Sequence, residues 1–221
     1  MNGYALIVAG GSGQRMKSDL PKQFLLLKGV PILIHTLRKF DANFRIGEIC
    51  LVLPESHFKY WEDLSQSFSF RNKITIVAGG KTRFDSVKNG LEVFQGKKGL
   101  VAIHDAVRPI ISNEVIDHSF EKANEKGSAI VAVDPKDSVR EVEVNGRSHA
   151  LDRSKLKLIQ TPQTFNLEWI TEAYNVEFSS IFTDDASVYE NSGRTVELIE
   201  GDYNNIKITT PEDLKIAESL M

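Results

Sequence analysis

Five short runs of continuous apolar residues set the terms on which this chain can fold. They are YALIVAG (4–10), EICLVLP (48–54), KITIVAGG (73–80), LVAIHD (100–105) and SAIVAVD (128–134). Between them lie stretches with helical spacing: PILIHTLRKFDA (31–42), SHFKYWEDLSQSF (56–68), TRFDSVKNGLEVF (82–94) and NEVIDHSFEKANEKG (113–127). A strand that is apolar on both faces must be covered on both, and the intervening amphipathic helices supply that cover. The pattern predicts an α/β fold with a mostly parallel sheet and helices on both faces. Pro31 suits a first helical turn, Ser56 an N-cap, and Gly127 the left-handed residue that closes a helix. Ligands of such sheets bind outside the carboxyl ends of the strands. The three loops richest in glycine and charge, after 10, after 80 and after 105, all leave those ends.

From Pro135 the rhythm changes. SVREVEVNGRSHAL (138–151) alternates loosely around Asn145-Gly146, the strongest short hairpin signal. A polar hairpin with few core residues is not stable alone, so it either lies over its own domain or pairs with a second chain. LKLIQTPQTF (156–165) returns to strand, and NLEWITEAYN (166–175) reads as a helix with Asn166 as its cap. TDDASVYENSG (183–193) opens on a capping cluster. TVELIEG (195–201) and NIKIT (205–209) read as strands. TPEDLKIAESL (210–220) is a closing helix with Thr210 as N-cap, Pro211 at the first position and Asp213 at the third. With no repeat and no low-complexity linker, the 221 residues fit one domain over 1–221, with an arm at approximately 135–160.

The balance of 27 basic against 30 acidic side chains gives a net charge of −3, which argues against a general nucleic-acid binder. Any anionic ligand must be met by a local concentration of Arg and Lys. The single cysteine, Cys50, excludes a disulfide framework and reads as a small buried hydrophobe. The opening residues lack a basic signal-peptide region, and no window reaches the roughly 18 apolar residues of a membrane span. The expected location is the cytoplasm. His35, His57, His104, His118 and His149 show no metal-ligand spacing, so no metal site built from protein side chains is expected.

The stretch VAGGSGQRMKSDLPKQF (8–24) is the most chemically suggestive. Glycines there let backbone N–H groups approach an anion, although a tight strand-to-loop turn also explains them. The stretch is not a P-loop. It misses the dinucleotide pattern too, because Met16 stands at the third glycine position and no acidic residue closes the strand that ends at Pro54. A nicotinamide oxidoreductase, the alternative from another class, is disfavoured on both counts. Arg15 and Lys22 share one long loop after a buried strand, a setting more often functional than a short turn. Read alone, Asp105 also fits a turn cap, Arg108 a structural ion pair, and Ser86 a hydroxyl bonded back to its own helix.

AGGSGQRM…LPKQF resembles the opening signature of the sugar-phosphate cytidylyltransferases. Four further segments agree in order: GGKTRFDSVKNGL (79–91), HDAVRP (104–109), LDRSKLKLIQTPQTF (151–165) and TDDAS…NIKITTPEDL (183–214). Within that family, RFDSVKNGL and TDDASVYE look more like the methylerythritol-phosphate branch than the ribitol-phosphate branch. The resemblance implies a Rossmann-like nucleotidyltransferase sheet, with an extended β-arm that pairs two subunits into a homodimer. It also implies attack of a polyol phosphate on the α-phosphorus of CTP, with Mg2+ held mainly through substrate phosphates.

The site residues carry over from the same resemblance. Arg15 and Lys22 match the pair around the α-phosphate. Arg153 matches an arginine supplied from the partner's arm, and Lys207 a lysine that positions the substrate phosphate. Ala9, Gly10, Gly11 and Gly13 match the backbone cradle for CTP. Gly80 and Ser86, beside Arg83, match the groups around the cytosine. Asp105 matches the group that binds the sugar-alcohol hydroxyls, Ala106 packs near the ribose, and Arg108 completes the same motif. Thr183 matches a further substrate contact. Two positions depart from the pattern: Lys81 stands where several relatives carry an acidic or small residue, and Asn204 where they often carry Asp.

Overall fold

The computed structural model describes residues 2–10 and 20–221. The chain enters through strand β1 (Gly3–Val8), then a two-stranded ribbon of β2 (Leu26–Leu27) and β3 (Val30–Pro31), and helix α1 (Ile32–Ala42). There follow β4 (Ile46–Leu53), α2 (Phe58–Ser65), β5 (Ile74–Ala78), α3 (Arg83–Glu92) and β6 (Leu100–Asp105). Next come α4 (Asn113–Lys126), β7 (Ser128–Val133), and the hairpin strands β8 (Arg140–Val142) and β9 (Ser148–Ala150). The chain closes with β10 (Leu158–Asn166), α5 (Leu167–Ala173), α6 (Asp185–Asn191), β11 (Leu198–Glu200) and α7 (Pro211–Leu220).

Among the described residues one seven-stranded sheet runs in the order β11-β7-β10-β6-β1-β4-β5. β1 pairs in parallel with both β4 and β6, β4 with β5, and β7 with β11. Only β10 runs antiparallel, against β6 on one side and β7 on the other. This is the α/β architecture that the apolar periodicity predicts. Alternation along β1 divides the core in two. Ala5 and Ile7 face α1, α2 and α4 through Leu37, Phe40, Trp61 and Phe120. Tyr4, Leu6 and Val8 face α3, α5 and α6 through Val87, Leu91, Ile170 and Tyr189. Cys50 lies fully buried in the second cluster, as expected, and burial pushes its thiol up to about 12.

Helix ends follow local chemistry. Thr82 with Asp85, Asp184 with Ser187, and Thr210 with Asp213 form reciprocal capping boxes, and Asn166 caps α5 through the Trp169 N–H. Ser56 is not a cap: it sits inside a short 3-10 turn, Glu55–His57, that feeds directly into α2. NIKIT is not a strand. Its Ile208 N–H bonds the Val107 carbonyl, and Ile208 is buried with Leu27, Ile32, Val107 and Ala217. The alternation of Ile206 and Ile208 therefore reflects packing beneath α7 rather than a sheet ladder. The Asn145-Gly146 hairpin is present as β8 and β9, and every residue of both strands is exposed.

Gly127 closes α4 at φ 88°, and a Cβ there would run into the Trp169 ring. Gly127→Ala thus combines left-handed strain with overpacking, each costing about 1–2 kcal/mol. We expect its thermal midpoint to fall by several degrees. Trp169→Ala in the same background should recover only the packing share, as read by denaturant unfolding.

Candidate active site

Two cavities open at the carboxyl ends of the central strands. The first, about 210 Å3, lies between the end of β1, the turn into α3 and the end of β6. Ala9, Gly10, Lys22, Gly80 and Ser86 border it. Gln23, buried under this wall, donates to the Ala9 carbonyl at 3.1 Å. The turn into α3 is tightly built. Ser86 Oγ accepts from the Gly80 N–H at 3.0 Å and donates to the Thr82 carbonyl at 2.9 Å. A Cβ on Gly80 would run into the Asp85 side chain, so this approach requires glycine. The back-bonded reading of Ser86 holds, and the same oxygen also edges the cavity.

The second cavity, about 300 Å3, is bordered by Arg108, Gln160, Thr161, Gln163, Thr183 and Asp184. Arg83, Asp105 and Lys207 border both cavities and form the junction between them. At that junction Asp105 is nearly buried and ringed by cations: Lys207 Nζ at 2.9 Å, Arg108 Nε at 3.4 Å and Arg83 Nε at 3.8 Å. Burial alone would raise its pKa, but Lys207, Arg83 and Arg108 together outweigh burial and hold the carboxyl well below the usual carboxylate range. Arg108 also donates from Nη1 to the Asn205 carbonyl at 2.7 Å, so it is both an ion-pair partner and a wall of the cavity.

Behind Asp105 stands His104, fully buried against Phe40. Thr161 Oγ1 accepts the Asp105 N–H at 3.1 Å and donates to His104 Nδ1, also at 3.1 Å, because the Arg108 carbonyl can only accept and so places the proton of the neutral ring on Nε2. Nε2 then carries the imidazole proton and donates to the Arg108 carbonyl at 3.1 Å. The backbone on both sides of the site carboxylate is thereby fixed by one neutral imidazole.

Eight of the residues singled out in the sequence meet around the first cavity: Ala9, Gly10, Lys22, Gly80, Arg83, Ser86, Asp105 and Lys207. Arg108 and Thr183 join at the second. Ala106 is fully buried below the junction, and its carbonyl accepts from Thr36 at 2.7 Å. Arg153 borders neither cavity. It lies exposed at the foot of the β8–β9 hairpin and donates to the Lys136 carbonyl at 2.6 Å. Gly11, Gly13 and Arg15 lie outside the described residues. Lys81 borders the first cavity, and Asn204 lies outside both.

Sequence reasoning overlooked Asp185, which is fully buried and grips Arg83 with both oxygens at 2.8 and 2.6 Å. Its one local sign was a second acid beside the capping Asp184. Among the described residues no group of three or more His, Cys, Asp or Glu side chains converges to hold a metal ion. No helix among them is long and apolar enough to cross a membrane.

Comparison with known proteins gives a consistent result. The family described as 2-C-methyl-D-erythritol 4-phosphate cytidylyltransferase matches residues 4–221. A protein of that name from Porphyromonas gingivalis is 49% identical over 99% of this chain and 97% of its own length. Another from Phocaeicola vulgatus is 48% identical over the whole of both chains. Among solved structures, 2-C-methyl-D-erythritol 4-phosphate cytidylyltransferase from Francisella tularensis is 33% identical, with a TM-score of 0.83 and full coverage of both chains. The 4-diphosphocytidyl-2C-methyl-D-erythritol synthase of Anaerococcus prevotii is 30% identical, with a TM-score of 0.85, over 99% of this chain and 95% of that one.

Burial pushes His104 down to about 4, against opposing help from its hydrogen bonds and from Asp105. An unfolded histidine titrates near 6.5, so between about 6.5 and 4 the unfolded chain binds a proton that the folded one refuses. The contribution is complete above about pH 6.5 and lost as pH falls toward 4, up to about 3 kcal/mol. We expect His104→Gln to flatten the pH dependence of denaturant stability in that window by close to one proton. An unchanged slope would assign it to another group.

Proposed function

The chain belongs to the 2-C-methyl-D-erythritol 4-phosphate cytidylyltransferase family, and from that premise we propose that it transfers the cytidylyl group of CTP to 2-C-methyl-D-erythritol 4-phosphate, in the supply of isoprenoid precursors. The observation that carries this reading is the shared junction: Arg83, Asp105 and Lys207 border both cavities. Two anionic ligands seated side by side must meet over those three residues. Transfer between a phosphate and a triphosphate depends on that kind of positioning and on charge neutralisation, with little covalent work for the protein.

In this reading the first cavity takes CTP. Ala9 and Gly10, with Gly11 and Gly13 beyond them, cradle the triphosphate, and Gly80, Ser86 and Arg83 edge the base and ribose end above buried Ala106. The second cavity takes the polyol phosphate, with Asp105 accepting from its hydroxyls and Arg108 and Thr183 at its walls. A phosphate oxygen of the polyol forms a bond to the α-phosphorus. The bond from that phosphorus to the bridging oxygen breaks, and pyrophosphate leaves with the electron pair. The nucleophile is already an anion, so no side chain needs to take a proton from it. A buried neutral His104 that faces the protein interior is compatible with that. Lys22, with Arg15, offsets the charge that gathers around the α-phosphorus, and Lys207 holds the incoming phosphate.

The donor set also indicates how Mg2+ fits. Among the described residues Asp105 is the one carboxylate that borders both cavities, and it is already committed to Lys207, so the ion would take its ligands mainly from the triphosphate. Bound in that way, it neutralises phosphate charge.

Arg153 fits the same scheme only through a second copy. The hairpin that precedes it is exposed throughout, including Val142 and Val144. We propose a single nucleotidyltransferase domain over 1–221, acting in the cytoplasm as a homodimer in which the arm at approximately 135–160 brings Arg153 to the partner's second cavity.

The direct test follows pyrophosphate release from CTP and Mg2+ with methylerythritol 4-phosphate, against ribitol 5-phosphate. The methylerythritol substrate should be preferred; preference for ribitol would overturn the substrate while leaving the chemistry. Lys22→Ala should lower kcat by about two to three orders of magnitude and leave the KM for CTP nearly unchanged. Arg153→Ala should raise KM for the polyol phosphate. Mixing the two variants should restore activity in heterodimers, and no recovery would count against a shared site.

A further inference from the structure

The Arg83 guanidinium divides its donors between two carboxylates. Nη1 and Nη2 fork onto Asp185 at 2.8 and 2.6 Å, while Nε faces Asp105 at 3.8 Å. The two acids differ in kind. Asp105 opens onto both cavities, whereas Asp185 has no exposed surface and borders neither. Asp185 is itself fixed from behind. Tyr174 donates its hydroxyl to Oδ1 at 2.6 Å, and the Tyr174 ring stacks on Phe84, the neighbour of Arg83, with centroids 4.8 Å apart. The first turn of α6 is anchored to β10, because Gln163 accepts the Ala186 N–H at 2.8 Å and donates to Asp184 at 2.8 Å.

From this geometry we propose that Asp185, braced by Tyr174, is a positioning residue for the transfer reaction: it locks Arg83 as a rigid spacer whose remaining edge sets Asp105 at the junction of the two cavities. The proposal rests on the functional reading above. A bidentate pair fixes both the distance and the plane of the guanidinium, which a single contact cannot do. Five donors in a planar fork make Arg83 a spacer of fixed length, and lysine could not replace it. Burial opposes its charge, but Asp185 and then Asp105 more than compensate and keep Arg83 protonated. Because Arg83 and Asp105 border both cavities, a loosened link should misalign the reacting groups more than it weakens either ligand.

The test compares the wild type with Asp185→Asn, Tyr174→Phe, Arg83→Gln and the Asp185→Asn/Arg83→Gln double variant. Steady-state pyrophosphate release is measured with CTP, methylerythritol 4-phosphate and Mg2+, and CTP stoichiometry by calorimetry. Asp185→Asn should lower kcat about tenfold or more, the scale of a small misplacement of reacting groups, with both KM values within about threefold. Full CTP stoichiometry should be retained. The double variant should be no slower than Arg83→Gln alone, because both changes break one link. A purely structural Asp185 would instead leave kcat per CTP-binding chain intact whatever the fall in thermal midpoint; that result overturns the proposal. If Asp185→Asn does not fold, Tyr174→Phe decides: a kcat at least threefold lower at full stoichiometry supports the brace, and an unchanged kcat overturns it. A wild-type chain without turnover overturns the functional reading itself, and this inference with it.

Discussion

The site depends on one buried anion. Asp105 ends the central strand β6, where the sheet delivers it to the floor of the cleft with almost no contact with water. An isolated charge there would cost several kcal/mol, and the structure meets that cost with three cations drawn from different parts of the chain. The dependence runs both ways. Without Asp105, Lys207 and Arg108 would crowd against Arg83 with only Asp185 left to offset the three charges. With it, they form a junction that keeps a surplus of positive charge and so remains receptive to phosphate. The same carboxylate organises the binding groups and prevents them from repelling one another.

The sheet explains how such distant residues come together. The parallel arrangement of β5, β4, β1 and β6 aligns Ala9 and Gly10 after β1, the capped turn into α3 and the end of β6 at one edge. The antiparallel strand β10 then inserts between β6 and β7, carrying Thr161 and Gln163 along the flank of Asp105. Thr161 serves the backbone of Asp105 and the ring of His104, while Gln163 ties down the start of α6. A second cavity beside the first is therefore a consequence of that one reversed strand.

Much of this was legible in the chain because the governing forces are local. Apolar runs gave the strands, and short polar side chains before helical stretches gave the caps at Asn166 and Thr210. The αL closure at Gly127 and the Asn145-Gly146 hairpin were legible for the same reason. Elements too short to show a pattern, or set by distant contacts, escaped notice. The β2–β3 ribbon turns on Lys28 and Gly29, both at positive φ, but its two-residue strands are too short to show periodicity. NIKIT looked like a strand because burial under α7 imitates the alternation of a ladder. Asp185 looked like half of a capping pair, since its partner Arg83 lies 102 residues away and no local pattern links them.

The failure of NIKIT to join the sheet also bears on how Lys207 works. A strand residue would have its direction set by pleat and register. Lys207 instead projects from an extended segment pinned on both sides. Before it, Asn205 is fully buried and donates to the Thr161 carbonyl and to Gln160, while its own carbonyl receives Arg108. After it, Ile208 is sealed into the small cluster beneath α7 and bonds Val107. The backbone is fixed where the side chain leaves it, yet the ammonium sits at the end of four flexible carbons, held among the described residues by Asp105. In the proposed reaction, a fixed root with a mobile charged tip suits a group that exchanges a carboxylate for an incoming phosphate. Arg83, locked by a bidentate pair, does the opposite task beside it. The junction thus combines one cation built to stay with one built to move.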